Sequence, residues 1–135
     1  FLVIGALSDP AQNNRIGRLC RTKGILFNNA DGETGDVILP AIGGGEHYTL
    51  AISTGGNSPA ISRFIREHLE EELPELDAMI VLQSRLRDYL KSTEPDQERR
   101  TAILHTVLHD RSVWKLLKTD PDKAWELVSG RSRHD

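Results

Sequence analysis

Apolar residues follow two regimes along this chain: short continuous runs up to residue 52, and long stretches at helical spacing beyond it. Phe1-Leu2-Val3-Ile4-Gly5-Ala6-Leu7 is an unbroken apolar run, the pattern of a strand covered on both faces within a parallel sheet. Ser8-Asp9-Pro10 supplies a cap and a first-turn proline, so a helix follows, with Ile16, Leu19 and Cys20 facing inward and a stop near Gly24. Ile25 to Ala30 reads as the next strand, which makes a β-α-β unit. Two parallel strands form no covered sheet by themselves, so further strands preceding Phe1 are expected to complete an open α/β domain. After a loop at 32–36, Val37-Ile38-Leu39 reads as a short strand ending at Pro40. Gly43-Gly44-Gly45 reads as a turn into a strand from His47 to Ile52. The last two strands could pair as a hairpin or lie at an edge, since Pro40 has no ladder donor.

The run Leu50-Ala51-Ile52 then breaks on Ser53-Thr54-Gly55-Gly56-Asn57 and restarts at Ser58-Pro59 as a helix, with Ile61, Phe64, Ile65, His68 and Leu69 at helical spacing. Paired glycines let a ligand approach the backbone closely. The first amides of a helix favour an anion, and Ser53, Thr54 and Ser58 add hydroxyl donors. The same turn would also serve a strand-to-helix connection for geometry alone. That helix ends near Leu73, before Pro74, and the rest of the chain is helical. A second helix carries Leu76, Met79, Ile80, Leu82, Leu86, Tyr89 and Leu90, and a third starts near Pro95 with Ala102, Ile103 and Val107 on its apolar side. Asp110-Arg111-Ser112 and Asp120-Pro121-Asp122 start two more, around Trp114 and Trp125, and the tail from Gly130 to Asp135 is expected to fray.

Composition narrows the partners. The 135 residues are 38% hydrophobic with a net charge of −3, enough for a core and without the concentrated basic surface of a general nucleic-acid binder. No apolar run reaches membrane-span length and no signal-peptide pattern opens the chain, so a soluble protein with no membrane partner is expected. The single cysteine, Cys20, allows no intrachain disulfide and fits a reducing cytoplasm.

Several motifs in fixed order carry a family likeness. Ser8-Asp9, Asn13-x-Arg15-Ile16, Phe27-Asn28-Asn29-Ala30-Asp31, Ile38-Leu39-Pro40, Ile52 to Pro59 and Phe64-Ile65-Arg66-Glu67 together resemble the precorrin-2 dehydrogenase domain of siroheme synthases. The likeness is close over residues 1–75 and general beyond them. It implies an α/β fold: residues 1–36 as the end of a Rossmann-like NAD-binding domain, 37–74 as a small α+β dimerisation segment, and 75–135 as a helical C-terminal segment. It implies oxidation of precorrin-2 to sirohydrochlorin with NAD as hydride acceptor, in a homodimer, and in some members insertion of ferrous iron. Asp31 falls at the family's acid/base position. Asn28, Ser53, Thr54, Gly55, Gly56, Ser58 and Arg66 become candidates for the tetrapyrrole, and Gly5, Ala6, Leu7 and Ser8 for the cofactor. Where the family commonly has alanine, threonine and two aspartates, this chain has Ala6-Leu7-Ser8-Asp9, which removes a threonine hydroxyl from the cofactor side.

The residues themselves are compatible with those roles. Asp31 directly follows a strand, which in open α/β folds puts it at the carboxyl edge where ligands gather, although aspartate before Gly32 is also ordinary turn chemistry. A substrate rimmed with carboxylates makes Arg15, Arg18, Arg63 and Arg66 candidate forks, against the plain alternative of solvated helix surface. His105 and His109 stand at i and i+4, but Thr106 replaces the glutamate of a zinc-protease motif and no third ligand follows, so no metal site is expected; His47 and His68 have no better claim. Two other readings remain open: a tetrapyrrole-binding dimerisation module without activity, and a different NAD oxidoreductase on the same sheet. Because the glycine turn and ribose-binding acid of a dinucleotide site would precede Phe1, calorimetry on this chain alone should show no micromolar NAD affinity.

Overall fold

The computed structural model describes residues 1–131; of the tail expected to fray from Gly130 to Asp135, Gly130 and Arg131 instead continue the last helix, and 132–135 lie outside the described residues. Two compact units form: 1–42 with 50–67, and 43–49 with 68–135. In the first, β1 (Leu2–Gly5) pairs parallel with β2 (Leu26–Asn29), Val3 opposite Phe27 and Gly5 opposite Asn29, with α1 (Pro10–Thr22) as the crossover. Asp9 caps α1 by accepting from the Ala11 N–H at 2.9 Å, Pro10 opens it, and Gly24 follows it in the left-handed region at φ +64. These match the expected β-α-β unit. Phe27 and Cys20 are the unit's buried apolar side chains among the described residues, and a Cβ on Gly5 or Gly17 would come within 2.6 or 2.8 Å of the Phe27 ring. Leu19 is a correction: it stands about half exposed, while Asn13 and Cys20 occupy the inward face. Leu2 and Ile4 are exposed too, so β1 is not covered on both faces in this chain.

The expected strand at Val37-Ile38-Leu39 does not form. The amides of Asp36 and Val37 bond to the Phe27 carbonyl at 2.8 and 3.1 Å, which pins that segment to β2, and Pro40 has no N–H to give. Pairing begins after the proline, between β3 (Ala41–Gly44) and β4 (Thr49–Ile52), through a connection too short for any but an antiparallel arrangement. Gly43 and Gly44 are therefore strand, and the turn is Gly45 to Tyr48. Its Glu46 and His47 amides are held by the Asp77 carboxylate at 3.0 and 2.8 Å, which is why β4 starts two residues later than the apolar pattern suggests. Helix α2 (Pro59–Glu72) follows the Ser53 to Ser58 turn.

The second unit is built on α3 (Leu76–Thr93), α4 (Gln97–His109), α5 (Arg111–Thr119) and α6 (Pro121–Arg131). Asp96 and Asp110 cap α4 and α5 through the Glu98 and Ser112 amides, and the Asp120 carboxylate accepts from the Lys123 amide at the start of α6. The core runs along α3 through Met79, Leu82, Leu86 and Leu90, closed by Val107, Val113, Leu117, Ala124 and Val128. Ala102, read as apolar-face, is exposed, and the α4 contribution comes from Val107 with Ile103 beside it. No helix among the described residues is long and apolar enough to cross a membrane.

Leu86 is wholly buried and Val81, on the same helix, is about half exposed. Urea denaturation should therefore show Leu86→Ala losing about 2–5 kcal/mol and Val81→Ala within about 1 kcal/mol of the parent.

Candidate functional site

Two places in the first unit gather the candidate residues. The first is the turn between β4 and α2. Gly55 and Gly56 adopt φ +64 and +84, a region that side-chain-bearing residues rarely enter, so the glycine pair is a backbone requirement. Thr54 closes the turn: its Oγ1 donates to the Ser58 carbonyl at 3.0 Å and accepts from the Ser58 N–H at 2.9 Å and the Ser62 hydroxyl at 3.3 Å. Asn57 donates to the Thr54 carbonyl through both its amide N–H and Nδ2. Ser53 Oγ accepts from the Gly55 N–H at 3.1 Å, and Ser58 Oγ caps the helix through the Ile61 N–H at 3.4 Å.

This bonding narrows the anion reading. Pro59 has no N–H, and those of Ile61 and Ser62 go to Ser58 itself, so few helix-start donors are left over. The Thr54 hydroxyl is saturated within the chain, whereas the Ser53 and Ser58 hydroxyls act here as acceptors and keep their protons to offer. What the turn does build is a cleft of about 350 Å³. Its wall is apolar, from Ile38 to Ile42. Ser53, Thr54, Gly56 and the buried Ser62 form the polar floor, and Arg63 and Arg66 the cationic rim. Arg66 is half-buried and paired with Glu67 at 2.9 Å, which holds its guanidinium at the rim. Gly55 and Ser58 belong to the turn without lining the cleft.

The second place is the carboxyl edge of the β1/β2 pair. The exposed loop Ala6 to Ser8 leaves β1 there, and exposed Asp31 follows β2, so the structure brings the cofactor and acid/base candidates to one edge. Gly5 itself is buried against Phe27, which gives it a packing reason. Asn28 is buried with its Nδ2 donating to the Val37 carbonyl at 2.8 Å, so its amide holds the following loop. Neither Asn28 nor Asp31 lines the cleft at the turn.

None of the other candidates lines the cleft. Arg15 is exposed, and Arg18 pairs with Glu33 at 3.7 Å. The His105 and His109 rings lie tilted at 53° with centroids 4.4 Å apart on an exposed face, His68 is exposed, and the His47 amide is tied to Asp77. Among the described residues no group of three or more His, Cys, Asp and Glu side chains is placed to hold a metal. No sequence pattern singles out Ser62, and Asn13 stands out only as part of the Asn13-x-Arg15-Ile16 motif. Both are buried polar side chains.

The comparisons with known proteins bear on the same two places. Residues 1–41 match the NAD(P)-binding family model and residues 49–72 match that of the sirohaem biosynthesis protein central region. The chain is 38% identical over 127 residues to a precorrin-2 dehydrogenase of Methanosarcina barkeri, covering 93% of this chain and 56% of that protein. It is 30% identical over 132 residues to a siroheme synthase of Pseudomonas paraeruginosa, covering 96% of this chain and 28% of that protein. It thus spans a little over half of the first relative and under a third of the second. The solved structure of SirC, a precorrin-2 dehydrogenase, shares the fold with a TM-score of 0.64 at 20% identity, over 96% of this chain and 64% of that one.

Replacing Thr54 by Val keeps its shape and strips three hydrogen bonds from the turn. Thermal melts should show Thr54→Val destabilised by about 1–3 kcal/mol and Thr54→Ser much less affected.

Proposed function

The chain belongs to the siroheme-biosynthesis family of precorrin-2 dehydrogenases and siroheme synthases, and from that premise we propose that it serves the oxidation of precorrin-2 to sirohydrochlorin. The observation that carries this reading is the exposed Asp31 carboxylate beside the Ala6 to Ser8 loop, both at the carboxyl edge of a parallel strand pair. Ligands gather at that edge in open α/β folds, and an exposed loop after a parallel strand fits one side of a dinucleotide site. The nicotinamide cofactor, which we take to be NAD, supplies a hydride acceptor when bound.

The chain's own residues do the rest. Removing two electrons from a tetrapyrrole carbon pair releases a hydride and a proton, and in this reading Asp31 accepts the proton. A macrocycle lying over Asp31 would exclude water from the carboxylate as it takes the proton. Arg63 and Arg66 answer substrate carboxylates with charge-assisted bonds, and the apolar wall from Ile38 to Ile42 suits a flat ring. The Ser53 and Ser58 hydroxyls and the tight Gly55-Gly56 backbone orient it. Ferrous iron would be a second substrate, with the same carboxylate taking pyrrole protons during insertion.

We also propose a homodimer through residues 37–74, with the cytoplasm as its site. The support is an apolar surface that this chain leaves open: Ile42, Ile61 and Phe64 are 63%, 49% and 63% exposed. Sedimentation at micromolar concentration should give a dimer, and a folded monomer would overturn this part.

In the intact protein, Asp31→Ala should slow precorrin-2 oxidation by about 10²-fold or more at saturating NAD, with NAD affinity nearly unchanged. Asp31→Asn, of the same shape and without the charge, should fall comparably. Normal turnover in Asp31→Ala would reduce Asp31 to a turn residue.

A further inference from the structure

We infer that Asn13 is a positioning residue, which sets the separation between the strand-end loop at Leu7 and the Asp31 carboxylate; the inference rests on the role of Asp31 proposed above. The backbone ladder between β1 and β2 runs out at the bond from the Ala30 N–H to the Gly5 carbonyl, 2.9 Å long. Past it the two chains leave the sheet, and the loops carrying Leu7 and Asp31 need another connection to stay in register. Asn13, in the first turns of α1 and with no solvent exposure, provides it. Its Oδ1 accepts from the Leu7 N–H at 3.0 Å, and its Nδ2 donates to the Leu7 carbonyl at 2.9 Å and to the Asp31 carbonyl at 3.3 Å.

A primary amide has two N–H donors and a carbonyl, and here all are engaged. One rigid planar group therefore holds both loops. No other side chain serves as well in that place. Aspartate would set a buried anion against two carbonyl oxygens, and leucine would leave the N–H and C=O of Leu7 and the C=O of Asp31 without this partner.

The spacing matters because the oxidation removes two particles from one substrate. The Ala6 to Ser8 loop would hold part of the cofactor, which would supply the acceptor for the hydride and its electron pair, and an Asp31 carboxylate oxygen would accept the proton. Both acceptors must meet the same ring, and a misplacement of about 1 Å can cost about 10²-fold in rate. Asn13 touches neither reacting atom and acts through the placement of Asp31.

A double-mutant cycle in the intact protein, at saturating NAD and with the folded fraction checked by circular dichroism, tests this. Asn13→Ala should lower kcat for precorrin-2 oxidation by about 10- to 100-fold, with KM for precorrin-2 nearly unchanged. In the Asp31→Ala background the same substitution should cost less than about twofold, because no placed carboxylate remains to be misplaced. A purely architectural role would cost the same factor in both backgrounds, and that result, or a loss confined to KM, overturns the inference. If Asn13→Ala fails to fold, Asn13→Ser is carried through the same cycle and decides on the same terms. Undiminished turnover in Asp31→Ala alone would bring down the role of Asp31 and this inference together. A crippled Asp31→Ala with additive Asn13 effects would bring down only the inference.

Discussion

The fit of one aromatic ring against two glycines organises the first unit. Phe27 lies 3% exposed at the centre of the β-α-β motif, and only hydrogen at Gly5 and Gly17 leaves room for it. Its backbone is tied down as firmly as its ring. The N–H bonds to the Asp36 carboxylate at 3.2 Å, and the carbonyl accepts from the Asp36 and Val37 amides. The crossover helix is thereby drawn close to the strand pair, and the segment leaving β2 is fixed alongside it. That closeness brings Asn13 within reach of both strand-end loops. A larger residue at position 17 would push α1 outward and move Asn13 with it.

Much of this was legible in the sequence because the signals were local. Asp9 with Pro10, Ser58 with Pro59, and Asp110 with Ser112 each announce a helix start through bonds spanning two or three residues, and all three helices begin there. Parallel pairing of the first two strands followed from the helix between them. The failures came where a distant group claimed the backbone. Val37 is apolar and β-branched, yet its amide goes to Phe27, ten residues back; His47 lies in a strand-like run, yet its amide goes to Asp77. No windowed pattern carries such information.

Helix α2 shows a different limit. Its apolar stripe, Ile61, Phe64 and Ile65, stands exposed, and the side turned to the cleft carries Ser62 and Arg66. Periodicity reports that a helix has two faces without saying which one meets the chain's own core. The candidate site was readable to the same degree. The Ser53 to Ser58 turn was visible as a glycine pair before a capped helix, but the division of labour within it was not. Thr54 spends its hydroxyl on Ser58 and Ser62, and a sequence cannot distinguish a hydroxyl aimed at a ligand from one consumed at home.

The Asp77 carboxylate, by accepting from Glu46 and His47, joins a four-residue turn to the opening of α3, some thirty positions further along the chain. Acidic side chains in a first helical turn usually face solvent and steady the helix dipole alone. Here the same group also anchors the turn, beside the bond from the Gly45 N–H to the Tyr48 carbonyl at 3.2 Å. Fraying of the first turn of α3 would release both amides at once, so the two segments should open and close as one cooperative element. Amide exchange at Glu46 and His47 would then report on the end of a helix to which neither residue belongs.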